Sequence, residues 1–164
     1  MDQGFYPDGI WTAPTDKALK NDIILSMKAG FNGARLHEKV FEDRFHYWAD
    51  KLGYITWAEW GNWGANENAK GTETAFMHEW PKIVEHLKNH PSIITWTPFN
   101  ETNTLECNSQ HKKLMRLAYD ITKKIDPTRP VNETSGYQHQ KTDIWTVHHY
   151  EPNPDKLMKA LNPK

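Results

Sequence analysis

Segments with helical periodicity alternate with short strand-like segments along this 164-residue chain, and that alternation restricts its fold more than any other feature. Leu19, Ile23 and Met27 recur at every fourth position behind Thr15, a residue suited to capping a helix, and Gly30 stands where the helix would stop. A helix is therefore predicted over 15–29, followed by a strand over 31–36. Phe41, Phe45, Trp48, Ala49 and Leu52 mark a second helix ended by Gly53, and residues 54–58 read as a buried strand. A glycine- and asparagine-rich loop spans roughly 61–71. Phe76, Trp80, Ile83, Val84 and Leu87 stripe a third helix, started or kinked at Pro81. The strongest strand signal is at 93–97, and Leu114, Ala118, Ile121 and Ile125 mark a fourth helix. Two more strands are expected at 130–132 and 144–148, then a short helix near 155–161.

About five strands alternating with helices indicate an α/β fold of parallel βα units, either a doubly wound sheet or part of a (β/α)8 barrel. Periodicity does not choose between them. The turn-rich residues 1–14 have no predicted regular structure, and no linker or low-complexity tract divides the chain, so 1–164 reads as one domain. A net charge of -1 argues against a partner bound through phosphate neutralisation, so no nucleic acid is expected. Apolar runs fall short of the roughly 20 residues of a membrane span. Met1-Asp2-Gln3-Gly4 lacks the basic and apolar regions of a signal peptide, which leaves localisation open, a secreted or periplasmic parent included. The single cysteine, Cys107, follows Glu106 in a polar loop without an activating partner, and it excludes an intrachain disulfide.

In parallel βα architectures, reactive groups collect where strands end. Here those positions carry Arg35 and His37, Glu59 and Trp60, Asn100 and Glu101, Asn132 and Glu133, and His148, His149 and Tyr150. Glu101 is the sharpest candidate. It follows a buried strand and the bend at Pro98, and desolvation in a cleft raises a carboxyl pKa as a general acid requires. Loop capping or pairing with Arg35 is an equal alternative from position alone. Glu133, in the second Asn-Glu-Thr, follows a weaker strand and fits a structural role. At most one of His148 and His149 can face inward. His86 and His90 have helical ligand spacing but no accompanying HExxH pattern, so a solvated helix end explains them. Trp60, Trp63, Trp96 and Trp145 offer flat faces that suit sugar rings, although core packing is the ordinary fate of tryptophan. GxGxxG, P-loop and GxSxG patterns are absent.

Several blocks together resemble a known family. Asp22-Ile23, Gly30-Phe31-Asn32, Arg35-Leu36-His37, Ala49-Asp50-Lys51-Leu52-Gly53 and Trp57-Ala58-Glu59 occur in the order found in the catalytic barrel of family 2 glycoside hydrolases. That group holds the β-galactosidase, β-glucuronidase and β-mannosidase relatives. Asn89-His90-Pro91-Ser92-Ile93-Ile94, Trp96, Asn100-Glu101 and Asp126-Pro127-Thr128-Arg129-Pro130-Val131 extend the match.

The resemblance implies a partial (β/α)8 TIM barrel, about strands 2 to 6 of eight, hydrolysing a β-glycosidic bond with retention. It implies Glu101 as acid/base, Asn100 at the sugar 2-hydroxyl and Arg35 supporting the nucleophile. Substrate contacts are expected from His37, Trp60, His149, Tyr150 and Asp2. No cofactor is expected, although some relatives hold a divalent cation, for which Glu59 is the possible ligand. The family's nucleophile follows a seventh strand, beyond the pattern seen here, and barrels of this class take roughly 200 residues or more. The chain is thus expected to carry the acid/base half of the site and to be inactive alone, with open barrel edges inviting self-association. The alternatives are a non-catalytic carbohydrate-binding or interaction protein, or an inverting hydrolase with carboxyl groups about 6.5–9.5 Å apart.

Overall fold

A computed structural model describes residues 14–102 and 108–162. Helix α1 (Asp16–Lys28) is capped by Thr15, whose hydroxyl accepts from the Ala18 N–H at 3.2 Å, and it buries Leu19 and Ile23. Strand β1 (Gly33–Leu36), helix α2 (Asp43–Leu52), strand β2 (Ile55–Glu59), helix α3 (Lys70–Leu87) and strand β3 (Ile93–Thr97) then alternate. The three strands pair in parallel in the order β1-β2-β3. Gly33 lies against Ile55 so closely that a Cβ there would stand 2.5 Å from the Ile55 carbonyl oxygen, and only glycine permits that approach.

Pro98 interrupts the next strand line, which resumes as β4 (Phe99–Asn100). After helix α4 (Ser109–Ile125), strand β5 (Thr134–Ser135) pairs with β4 in parallel. The strand predicted at 130–132 is reduced to a parallel bridge between Val131 and Trp96. Just beyond it the Glu133 carboxylate turns inward, accepting the N–H groups of Gln140 at 2.5 Å and Lys141 at 3.2 Å. Helix α5 (Pro154–Leu161) follows and buries none of its residues.

Two expectations need correction. Helix α3 begins at Lys70 and carries Pro81 in its interior, so the proline neither starts the helix nor ends it. Residues 144–148 form no strand. Side-chain contacts replace a ladder there: Thr146 Oγ1 accepts the Gly136 N–H at 2.8 Å, while Trp145 and Val147 point outward.

The main core lies between α3, α4 and the sheet, around Phe76, Trp80, Val84, Trp96, Phe99, Leu114 and Met115. Trp80 and Trp96 meet edge-on at 5.9 Å, and Trp80 Nε1 donates to Thr122 Oγ1 at 2.8 Å, so burial leaves its one polar atom satisfied. Burying a large apolar side chain contributes about 1.5–3 kcal/mol. Arg129 ties the strand beginnings together, donating to the carbonyls of Lys88, His90 and Ile93 and pairing with Asp126 at 2.6 Å. A second cluster packs α1 on α2 through Leu19, Ile23, Phe45 and Ala49, and covers β1 at Leu36. No helix of the described residues is long and apolar enough to cross a membrane.

Candidate active site

The C-terminal ends of β1, β2 and β4 bring charged groups together as the sequence reading requires. Arg35 on β1 is the hub. Its Nε lies 3.0 Å from Glu59 Oε1, and its Nη2 donates to His37 Nδ1 at 2.9 Å and to Asn100 Oδ1 at 3.1 Å. Its Nη1 reaches His148 Nε2 at 3.4 Å. Because a guanidinium can only donate, His148 Nε2 is the acceptor and Nδ1 carries the proton. That Nδ1–H points at Glu101 Oε1, which also accepts from the Tyr150 hydroxyl.

Glu101 sits at φ 44, an uncommon conformation for a residue with a Cβ. Burial pushes its carboxyl pKa up, but the hydrogen bonds from Tyr150 and His148 outweigh burial and hold it below the usual value. This reverses the raised pKa expected from its cleft position. As arranged here, Glu101 is an ionised carboxylate at neutral pH.

Asn100 is buried. Ser135 Oγ donates to its Oδ1 at 2.8 Å alongside Arg35, while its Nδ2 finds no hydrogen-bond partner among the described residues. Glu59 is the buried counter-charge beneath Arg35, and its Oε2 accepts the Glu38 N–H at 3.0 Å. Desolvation raises its pKa to about 7, against the lowering effect of Arg35. Oε2 is thus engaged by a protein donor, whereas Oε1 faces the Arg35 charge without a hydrogen bond among the described residues. Among the described residues no group of three or more His, Cys, Asp or Glu is arranged to hold a metal ion. His37 is held below its ordinary pKa by burial and then by Arg35, which suits its role as acceptor.

Three predicted residues fall elsewhere or outside. Trp60 is turned into the core against Phe76 and Phe99, with Nε1 donating to Glu79 at 2.9 Å, so it presents no open face to a sugar. His149 is exposed, and His148 is the inward histidine of that pair. Asp2, like Cys107 and Glu106, lies outside the described residues. Trp63, in contrast, is exposed and stands edge-on to His37 at 6.1 Å. Glu133 has the structural role expected of it, buried against His139 at 2.9 Å. His86 and His90 pair separately with Asp43 and Asp50 of α2, at 2.8 and 2.7 Å.

Sequence reasoning missed Ser135, Asn62 and Glu38. Ser135 was readable as a residue just beyond the Asn132-Glu133 strand end. Nothing in the local pattern singles out Glu38, and Asn62 is one of several asparagines in its loop.

The ends of parallel strands β1, β2 and β4 thus gather Arg35, His37, Glu59 and Glu101, and His148 and Tyr150 reach them from a segment that forms no strand. The sequence matches the family described as glycosyl hydrolases family 2, TIM barrel domain, over residues 13–162, and the chain belongs to that family. It is 39% identical over 82 residues to a β-galactosidase of Psychromonas ingrahamii, a match covering 49% of this chain and 7% of that protein. To a β-glucuronidase of Bacteroides fragilis it is 31% identical over 126 residues, covering 71% of this chain and 17% of that protein. The crystal structure of a Bacteroides uniformis β-glucuronidase superposes with a TM-score of 0.66 at 25% identity, covering 79% of this chain and 17% of that one. The fold is therefore part of a TIM barrel, and the chain spans a small fraction of the length of these relatives.

Proposed function

We propose that the protein contributes the acid/base half of a retaining, exo-acting β-glycosidase site, acting on a terminal β-linked sugar of the galactoside or glucuronide type. Family membership supports the reaction class. The observation that carries the residue assignment is Glu101 at the end of β4, met by the His148 imidazole and the Tyr150 hydroxyl.

Glu101 gives its proton to the departing glycosidic oxygen and then takes one from the incoming water. Asn100 Nδ2, without a partner among the described residues, is the donor for a substrate hydroxyl, and Arg35 holds Asn100, His37 and His148 in register. Double displacement needs a second carboxylate roughly 5 Å from the first. Of the other carboxylates near these strands, Glu59 and Glu133 are buried and engaged with Arg35 and His139, and Glu38 accepts the N–H groups of Asn62 and Trp63, so we assign the nucleophile to sequence outside the described residues. Its negative charge would also raise the Glu101 pKa, which the proton-donating step requires.

The test is to express the full gene product with nitrophenyl β-galactoside and β-glucuronide substrates and follow the first-released anomer by proton NMR. Hydrolysis with retention is expected, and the 164-residue chain alone should turn over negligibly. Release of the inverted anomer, or sugar binding without turnover by the full product, would overturn the assignment.

A further inference from the structure

Asn62 lies three residues beyond β2 and is buried. Its Oδ1 accepts the Asn100 N–H at 2.7 Å, and its Nδ2 donates to the Asn100 carbonyl at 3.2 Å. One carboxamide thereby satisfies both backbone groups of Asn100, as a neighbouring strand would on the side of β4 opposite β5. The Glu101 N–H donates to the Ser135 carbonyl at 2.9 Å. The peptide joining Asn100 to Glu101 is consequently gripped twice, at its C=O by Asn62 and at its N–H by Ser135.

That grip bears on the backbone torsion of Glu101, which with Glu38 and Tyr137 is one of three non-glycine residues at positive φ among the described residues. A left-handed residue with a Cβ is strained and persists only where its surroundings over-determine it. Glu101 is such a residue, at φ 44. The loop bearing Asn62 is itself anchored: Glu38 Oε2 accepts the N–H of Asn62 at 2.8 Å and of Trp63 at 2.9 Å. Gly61 passes so close that a Cβ there would lie 3.0 Å from the Glu38 carbonyl oxygen. The Asn62 Nδ2 also donates to Glu67 at 2.8 Å, which fixes the orientation of its amide from within the same loop.

We propose that Asn62 is a positioning residue for the acid/base carboxylate, holding the Asn100–Glu101 peptide so that Glu101 meets His148 and Tyr150, with Glu38 anchoring it. The catalytic consequence rests on the acid/base reading of Glu101, whereas the positional coupling does not. Loss of Asn62 releases the peptide, the Glu101 side chain swings away from its two donors, and its pKa returns toward that of a free glutamate.

The experiment is a carbon-13 NMR titration of the Glu101 carboxyl, assigned by its disappearance in Glu101→Gln. It compares the unsubstituted protein with Asn62→Ala, Glu38→Ala and the core control Ala118→Gly. Asn62→Ala should raise the Glu101 midpoint toward that of a free glutamate and weaken amide-exchange protection at Glu101. Glu38→Ala should shift it the same way. Loss of the Glu38 negative charge acting alone would lower the midpoint, so a rise there reports the lost anchor. The control should leave it unchanged while lowering stability. If Asn62→Ala does not fold, Glu38→Ala carries the test. A midpoint unmoved to within about 0.2 unit in a folded variant, or moved equally in the control, would overturn the proposal. Turnover plays no part in this readout, so absent hydrolysis by the gene product would refute the glycosidase reading and leave this one standing.

Discussion

Replacing Arg35 with methionine keeps most of the side-chain volume and removes the charge that faces Glu59. The Glu59 side chain is fully buried, with Oε1 3.0 Å from Arg35 Nε. At that separation, and an effective dielectric near 20, the attraction is about 5–6 kcal/mol before desolvation is subtracted. Arg35 is 27% exposed, so water screens part of this, and the lower part of the ~3–5 kcal/mol range for breaking a buried pair applies.

Glu59 also has an escape, since burial already raises its pKa to about 7 and it can take up a proton. The direction with pH follows from linkage. A carboxyl whose folded pKa lies above its unfolded value of 4.5 favours the folded state in its protonated form, and that contribution is lost as pH rises through the folded pKa. Without Arg35 the folded pKa climbs further, so the loss continues to higher pH. The expected penalty is about 3 kcal/mol near pH 8.5, shrinking to about 1 kcal/mol near pH 5, where only the hydrogen bonds to Asn100, His37 and His148 are missing. Urea denaturation followed by tryptophan fluorescence at the two pH values measures it, read as midpoint shifts at constant slope. Adding Glu59→Gln should abolish the pH dependence of the Arg35→Met penalty. A penalty of equal size at both pH values would refute the buried ion pair as its source.

His46 on α2 is fully buried, and desolvation followed by the nearby His90 lowers its pKa to about 4. A depressed histidine withdraws stability as pH falls from about 6.5 toward 4, and His46→Leu should reduce acid sensitivity in that window by up to about 3 kcal/mol, read from urea midpoints. Gly136 has φ 74, and a Cβ there would stand 2.8 Å from the His148 ring. Gly136→Ala should displace His148 and raise the Glu101 titration midpoint seen by NMR, and an unchanged midpoint would show that His148 does not help hold the carboxylate ionised. Sedimentation should show concentration-dependent association of the 164-residue chain, because β1 is an edge strand of its sheet among the described residues. A monomer throughout a hundredfold range of concentration would remove that expectation.

The parts legible in the sequence were those governed by short-range periodicity and by position at a strand end. Leu19 with Ile23, and Phe76 with Trp80, Val84 and Leu87, announced buried helix faces, and Thr15 announced a cap. Arg35, Glu59 and Glu101 followed from the rule that chemistry gathers after the strands. What escaped depended on three-dimensional closure. A local pattern places Trp60 at the rim, yet Phe76 and Phe99 arrive from other elements and take its ring into the core. Choosing His148 over His149 requires a strand at 144–148, and that segment instead reaches the site through side chains and the close pass at Gly136. Asn62 acts on a backbone 38 residues away, a relation no spacing rule contains.

The central claim is that Glu101 donates the proton to the leaving group. Its most direct test measures kcat/KM of the full gene product and of Glu101→Ala on aryl β-glycosides graded by leaving-group ability, with and without azide. A loss of about 10²–10⁴-fold is expected for poor leaving groups, with little loss for activated ones and a retained glycosyl azide formed by the variant. A loss of the same size across the whole series, with no azide product, would contradict that claim.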